Sequence, residues 1–287
     1  MEEKTNQKRT EEFSFSTPPQ KLKYARLMNG YVGLGEDLFA VGENGILFQG
    51  YAPKSCAVHC AGLDENARLL IENEVQKRCE SRSCAYEGMT ADETEQKCDS
   101  PSLSATFVGE RISPPKALTA GDALIGLAAN GVHVSGFSTL EKLFSTEDKV
   151  LMEAFDKQFL STAEEELLRP TKSYCDGLTA LYKEGLIKRG AAVLENGVTG
   201  AVEAILSKGQ GAVLQKKSYE VPRLFRTLRL RSGLDEDLAY RTFTMGLGGV
   251  LAVEKDKKQL VKARLLESGI TAYEIGEITD AGVLVWQ

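Results

Sequence analysis

No apolar run in this 287-residue chain approaches the ~18–20 residues of a bilayer-spanning helix, so no helical membrane span is expected. The first twelve residues, MEEKTNQKRTEE, lack the apolar core of a secretory leader. Residues 1–12 therefore read as a disordered tail, with the cytoplasm as the expected location. Positive charge is also in short supply: 35 Lys and Arg stand against 41 Asp and Glu, a net charge of −6. A nucleic-acid backbone would be repelled overall, and no Lys/Arg stripe interleaved with aromatics offsets that repulsion. The most basic stretch, Arg223–Arg231, carries Leu224, Phe225 and Leu228 at helical spacing, so it reads as a solvated helix face. Internal repeats and low-complexity tracts are absent. What remains is 42% hydrophobic and 26% charged, an ordinary folding composition at a length suited to about two domains.

Tight two-residue-spaced cysteine pairs are missing too. Cys56, Cys60, Cys79, Cys84 and Cys98 fall in the first half, with His59 between the first two. This spacing does not form zinc knuckles, and buried free thiols are the expectation, with no metal site assigned. His59, on an apolar stretch, reads as a core histidine.

Period and punctuation give the outline. Lys21–Leu27 opens the first unit. Leu38–Val41 and Ile46–Phe48 share a helical pattern interrupted by Gly42 and Gly45. Ala67, Leu70, Ile71, Val75 and Cys79 recur at helical spacing over Asp64–Ser81, with Asp64 as N-cap. Cys56–Cys60, Cys84–Glu87 and Leu103–Val108 read as strands, and Thr90–Ser102 as a loop. Pro114-Pro115 disfavours helix and marks a hinge, giving domains at 13–113 and 116–287. Beyond it come a strand at Ala123–Leu127, a glycine-bearing turn at Asn130–Gly136 and a helix at Ser138–Phe144. Helical patterns follow at Lys149–Phe155, Thr162–Leu168, Lys172–Lys183, Gly200–Ser207 and Val221–Leu230. The end is a strand at Gly249–Val253, a helix at Lys257–Ser268 closed by Gly269, and strands at Ala272–Ile278 and Val283–Trp286. Mixed in this way, the elements define an α+β protein of two domains.

Four stretches resemble one family. Gly121–Leu127 followed by Asn130–Ser138 (NGVHVSGFS) is similar to the GD-x-LIGL and SGPHSNGYS segments of aminoimidazole ribonucleotide synthetases. Leu167–Tyr174 resembles their L-x-PT-x-x-Y, Tyr240–Gly248 their RTFNMGVGM, and Glu274–Ile278 their closing IGEI. The resemblance implies an α/β half-barrel domain followed by an α+β sandwich domain, and a homodimer closed into a barrel by the first domains. It also implies ATP and Mg²⁺ as cofactors for ring closure of formylglycinamidine ribonucleotide, a reaction that needs fixed charge around a triphosphate.

The same resemblance exposes departures. The family's lysine- and glycine-bearing N-terminal portion is expected before residue 13, where this chain has only a polar tail. The family's GTDGVGTKL falls on Ser14–Leu22, where Ser16 replaces the metal-binding aspartate and Pro18 and Pro19 replace residues with free N–H groups. In the segment Asp37–Gly50, Gly45 replaces the second aspartate of the family's VND motif. In the GGET segment, Thr90 replaces the glutamate; Glu43, Glu87 and Asp92 are the nearby carboxylates. In Ala191–Gly197, which matches the AH-x-TGGG turn, the histidine, threonine and two glycines are gone. Hard cations need carboxylate oxygens, so ATP and Mg²⁺ binding is expected to be degraded.

The surviving positions are the candidates. His133 is the catalytic candidate, as a loop histidine able to titrate near neutrality, or else a bracing donor for its loop. Lys21, Asp37, Asn44, Ser138, Thr171 and Thr242 are the nucleotide- or substrate-binding candidates. Lys21 otherwise reads as a solvated charge and Thr171 as the N-cap of the next helix. Selenophosphate synthetases, with their N-terminal cysteine, and hydrogenase-maturation relatives, with their cysteine-bearing end, are expected to fit less well. A non-catalytic dimerisation or ligand-sensing module is the alternative to an enzyme.

Overall fold

A computed structural model describes residues 10–92, 101–144 and 163–287. Strand β1 (Thr10–Ser16) alternates, Phe13 and Phe15 turning toward the interior and Ser14 and Ser16 outward. It pairs antiparallel with β4 (Ser102–Arg111), which pairs with β2 (Tyr51–Ala61); β2 pairs in parallel with β3 (Ala85–Ala91). The sheet order is β1-β4-β2-β3. Thr10–Glu12, read from sequence as tail, are paired with Glu110–Val108. The β3 strand also takes in Thr90 and Ala91, which composition had left in a loop.

Helices α1 (Pro19–Met28), α2 (Leu34–Leu47) and α3 (Glu65–Ser81) complete the first domain. Pro19 is the first helical residue of α1, where its missing N–H costs nothing. Asp64 caps α3 by accepting from the Ala67 N–H at 2.8 Å, and Ala67, Ile71, Val75 and Cys79 form the buried stripe. Gly42 and Gly45 do not interrupt α2. They let it lie close on the sheet: a Cβ at Gly42 would stand 2.0 Å from the Phe107 ring, and one at Gly45 2.2 Å from the Phe15 ring. Phe15 and Phe107 meet edge to face, as do Phe39 and Phe107.

Cys56, Cys60, Cys79 and Cys84 are free and buried; Cys98 lies outside the described residues. A hydrogen bond with Cys56 and burial push the Cys79 thiol up to about 12, keeping it protonated and inert. His59, by contrast, is exposed on the outward sheet face beside Thr90, 3.1 Å from its hydroxyl; the strand's alternation turns it away from the core. Small polar residues also stand on that outward face, Ser14 Oγ lying 3.1 Å from Thr106 Oγ1.

The second domain is built on a sheet ordered β10-β7-β9-β5-β8-β6. Its strands are β5 (Ala123–Ala128), β6 (Arg189–Ala192), β7 (Gly211–Leu214), β8 (Leu247–Val253), β9 (Ala272–Thr279) and β10 (Leu284–Trp286). The helices are α4 (Phe137–Leu143), α5 (Ala163–Leu167), α6 (Cys175–Lys183), α7 (Gly197–Ile205), α8 (Arg223–Ser232), α9 (Glu236–Thr242) and α10 (Lys258–Glu267). Apolar positions on both faces bury β5: Ala123, Ile125 and Leu127 join the core under α6 and α10, and Leu124 joins that under α7 and α9. The helix expected at Lys149–Phe155 lies outside the described residues. The four-residue strands β6 and β7 and the short α9 have no sequence expectation to match.

A candidate functional site between the two sheets

Helix α2 turns its polar residues toward the second domain, and the loop 169–174 receives them. Lys21, from α1, is fully buried, its Nζ 2.8 Å from Asp37 Oδ2 and donating to the His133 carbonyl at 3.0 Å. It is therefore not the solvated charge its isolation in sequence suggests. The Thr171 N–H and hydroxyl both donate to Asp37 Oδ1, at 2.8 and 2.7 Å. Thr171 is thus a partner of Asp37, not an N-cap; α6 begins only at Cys175. Asn44 donates to the Lys172 carbonyl at 2.8 Å and accepts from the Tyr174 N–H at 3.1 Å.

Beside Asn44, Glu43 accepts from Arg82 Nε at 2.8 Å and from the Ser173 hydroxyl at 2.5 Å, while Arg82 reaches Asp176 at 3.0 Å. Glu43 is thereby committed to the domain contact and is not a spare metal ligand. Glu43, Arg82, Ser173 and Asp176 extend a clasp that no sequence spacing announces. Its members come from α1, α2, the α3–β3 turn, the His133 loop, the loop before α6 and the first turn of α6.

His133 belongs to this clasp. Its backbone has φ of 53°, in the left-handed region, and its ring is buried. Nε2–H donates to Asn130 Oδ1 at 2.8 Å, and the Asn130 amide donates to the Pro170 carbonyl at 3.0 Å, which fixes its orientation. A Cβ at Gly248 would stand 2.6 Å from the His133 ring and 2.1 Å from the Tyr174 hydroxyl, so the family-like glycine there makes room for both. Burial, reinforced by the Lys21 and Lys172 cations, pushes the imidazole down to about 3. It stays neutral at pH 7, in place of the titration near neutrality that an open loop would allow.

The unfolded chain therefore binds a proton at His133 that the folded chain refuses. The histidine's share of stability is complete above its ordinary pKa and is lost as pH falls from about 6.5 toward about 3. In acid unfolding series, His133→Asn, which tolerates the positive φ, should lack this component. The gap between parent and variant should change by a few kcal/mol across that window. Parallel curves would show that the ring is not held neutral.

Ser138 and Thr242 stand apart from the clasp. Ser138 is exposed on the first turn of α4, and the Thr242 hydroxyl donates to the Leu238 carbonyl at 2.7 Å.

Between β1 and the β6–α7 turn lies a cleft of about 370 Å³. Ser14, Phe15 and Ser16 form one wall, and Glu195, Asn196 and Gly197 the other. Among the described residues Glu195 is its one charged lining residue, and no lysine or arginine lines it. The residue before it, Leu194, accepts a hydrogen bond from the Ser135 hydroxyl, tying the turn to the His133 loop. Gly197 sits at φ 60°, packed under the carbonyls of Tyr240 and Phe243.

The residues present do not fit a magnesium site of the kind the resemblance implies. Ser16 and Gly45 stand at two of the expected carboxylate positions, the hollow over Gly45 is filled by Phe15, and Asp37 is held by Lys21 and Thr171. Among the described residues, no group of three or more His, Cys, Asp and Glu side chains converges as a metal site.

Comparison with solved structures defines the class first. The fold is that of the AIR synthase-like proteins. Escherichia coli HypE superposes with a TM-score of 0.70 at 16% identity, covering 97% of this chain and 82% of that one. PurL of T. maritima, solved with AMPPCP, superposes with a TM-score of 0.63 at 11% identity over 97% of this chain and 41% of that one. Sequence then places the chain more closely. Residues 119–287 match the family model described as AIR synthase related protein, C-terminal domain. The phosphoribosylformylglycinamidine cyclo-ligase of Shouchella clausii is 31% identical over 268 residues, 90% of this chain and 77% of the relative. That of Caldanaerobacter subterraneus is 32% identical over 269 residues, 91% and 80% of the two chains. The chain belongs to the phosphoribosylformylglycinamidine cyclo-ligase, or aminoimidazole ribonucleotide synthetase, family.

Proposed function

We propose that this chain is a divergent cyclo-ligase family member whose interdomain cleft no longer grips a magnesium-bound triphosphate. The observation that carries this reading is the Phe15 ring seated over Gly45, in a cleft that no cationic side chain lines among the described residues. A triphosphate in water is multiply charged, and moving it into a site without countercharge or metal leaves its desolvation uncompensated. Lys21 offers no remedy, because its ammonium is held by Asp37 and the His133 carbonyl. Ser138 and Thr242 are the nominated residues outside the clasp, and they are the ones left to meet a ligand.

Residues 13–113 and 116–287 act, in this reading, as domains locked by the clasp, and the protein serves as a dimerisation or ligand-sensing module. The competing reading, a retained ATP-dependent ring closure, is favoured by the relatives' identity along nine-tenths of the chain. Phosphate release from ATP in the presence of formylglycinamidine ribonucleotide separates the two. None above the protein-free rate is expected, and release that requires both ligands would establish the enzyme.

The outward face of the first sheet supports a homodimer. Its small polar residues, Ser14, Thr106 and Thr90 among them, allow close approach of a second copy of the same face. Sedimentation equilibrium should give a dimer, and Thr106→Arg a monomer, since a buried unpaired guanidinium is costly. A parent protein that sediments as a monomer would refute the pairing.

A further inference from the structure

A second cleft, of about 390 Å³, opens on the other side of the same contact between domains, bounded in part by the C-terminal end of α7. Its character is opposite to that of the first. Arg111, Lys188 and Arg189 line it against a single carboxylate among the described residues, Glu11, together with the rings of Phe48, Tyr51 and Tyr182.

The three cations are not equivalent. Lys188 lies 2.8 Å from both oxygens of Asp122, so its charge is compensated. Arg111 stacks its guanidinium 4.0 Å above the Tyr51 ring, donates to the Tyr51 hydroxyl and lies 3.5 Å from Glu11. Arg189 is different. Its Nε donates to the Lys116 carbonyl and its Nη1 to the Ile205 carbonyl, both at 3.0 Å, and among the described residues it pairs with no carboxylate. Bonding to Ile205 at the end of α7 explains how the guanidinium is held, and the partial negative charge of the helix end offsets its charge only in part. Nη2 remains available, on a fork already fixed in direction, so a ligand would not bear the entropy of ordering it.

We infer that this second cleft binds a small anionic ligand, a phosphate or carboxylate attached to a flat ring. Arg189 and Arg111 take the anion, and the ring lies among Tyr51, Tyr182 and Phe48. One guanidinium offset only in part, beside aromatic faces, is the chemistry that recognises such a molecule. No divalent cation is required, which separates this site from the metal-dependent nucleotide chemistry of the family.

Phenyl phosphate, titrated calorimetrically into the full chain without divalent metal, is the probe, with inorganic phosphate as the ringless comparison. Phenyl phosphate should bind at one site per chain and more tightly than phosphate. Arg111→Gln and Arg189→Gln should each weaken it about tenfold or more, the usual scale for losing a charge-assisted hydrogen bond. Glu195→Gln, in the first cleft, should leave it unchanged. No binding by the folded parent, equal affinity for the two probes, or binding indifferent to both arginines would overturn the inference. A tighter complex in Glu195→Gln would also overturn it, by placing the probe in the first cleft. Should Arg189→Gln fail to fold, Arg111→Gln decides alone, because its side chain holds no backbone of another element.

Discussion

Replacing Lys21 by methionine should destabilise the folded chain by about 3–5 kcal/mol, the cost of leaving a buried charge without its partner. The ammonium and the Asp37 carboxylate are 2.8 Å apart, and neither side chain is exposed to solvent. Thr171 would still donate twice to Asp37, but two neutral donors do not cancel a carboxylate. A solvated surface lysine would give a change within about 0.5 kcal/mol. Adding Asp37→Asn to the Lys21 variant should recover part of the loss, because the uncompensated charge is gone while the amide oxygen still accepts from Thr171. Urea unfolding of the parent, both single variants and the double variant measures this coupling. Additive losses would mean that the two side chains do not act as a pair.

The second large effect is expected at Gly197, where the β6–α7 turn meets the cleft. With φ at 60°, a side chain there costs roughly 1–2 kcal/mol in backbone strain. Gly197→Ala would also place a Cβ 2.5 Å from the Tyr240 carbonyl oxygen and 2.7 Å from the Arg241 carbonyl carbon. These backbone atoms belong to the last turn of α9 and cannot swing aside as a side-chain tip can. A loss of about 3 kcal/mol or more is the expected outcome, from strain and overpacking together. The same change at Gly233, also at positive φ but with nothing within 4 Å of the new Cβ, should show the strain alone. Equal losses at the two positions would remove the close packing from the explanation.

Much of this architecture could be read from the chain. The α3 helix declared itself through a five-residue apolar stripe and the Asp64 cap, both local signals. The four family-like stretches carried the order of elements in the second domain. The strands β6 and β7 escaped because four residues show too little alternation to separate a strand from a loop. The clasp escaped for a different reason. Lys21 meets the His133 carbonyl across 112 positions, and Asp37 meets Thr171 across 134, so no window of sequence contains a pair. Family-like residues were legible there; their partners were not. His59 shows the converse, since an apolar neighbourhood in sequence says nothing about which face of a strand a residue takes. Phe15 is the most instructive position. In sequence it is an aromatic in a proline-bearing stretch, and only the 2.2 Å from its ring to a Cβ at Gly45 shows that the ring depends on a glycine thirty positions away.

Magnesium dependence tests the proposed reading at its centre, because metal-bridged binding needs protein oxygens and Phe15 packs over Gly45 in this cleft. The midpoint of thermal unfolding should be the same for the chain in millimolar ATP with and without Mg²⁺. A stabilisation that appears only with the metal, about 2.7 kcal/mol when the complex is at a hundred times its dissociation constant, would contradict it.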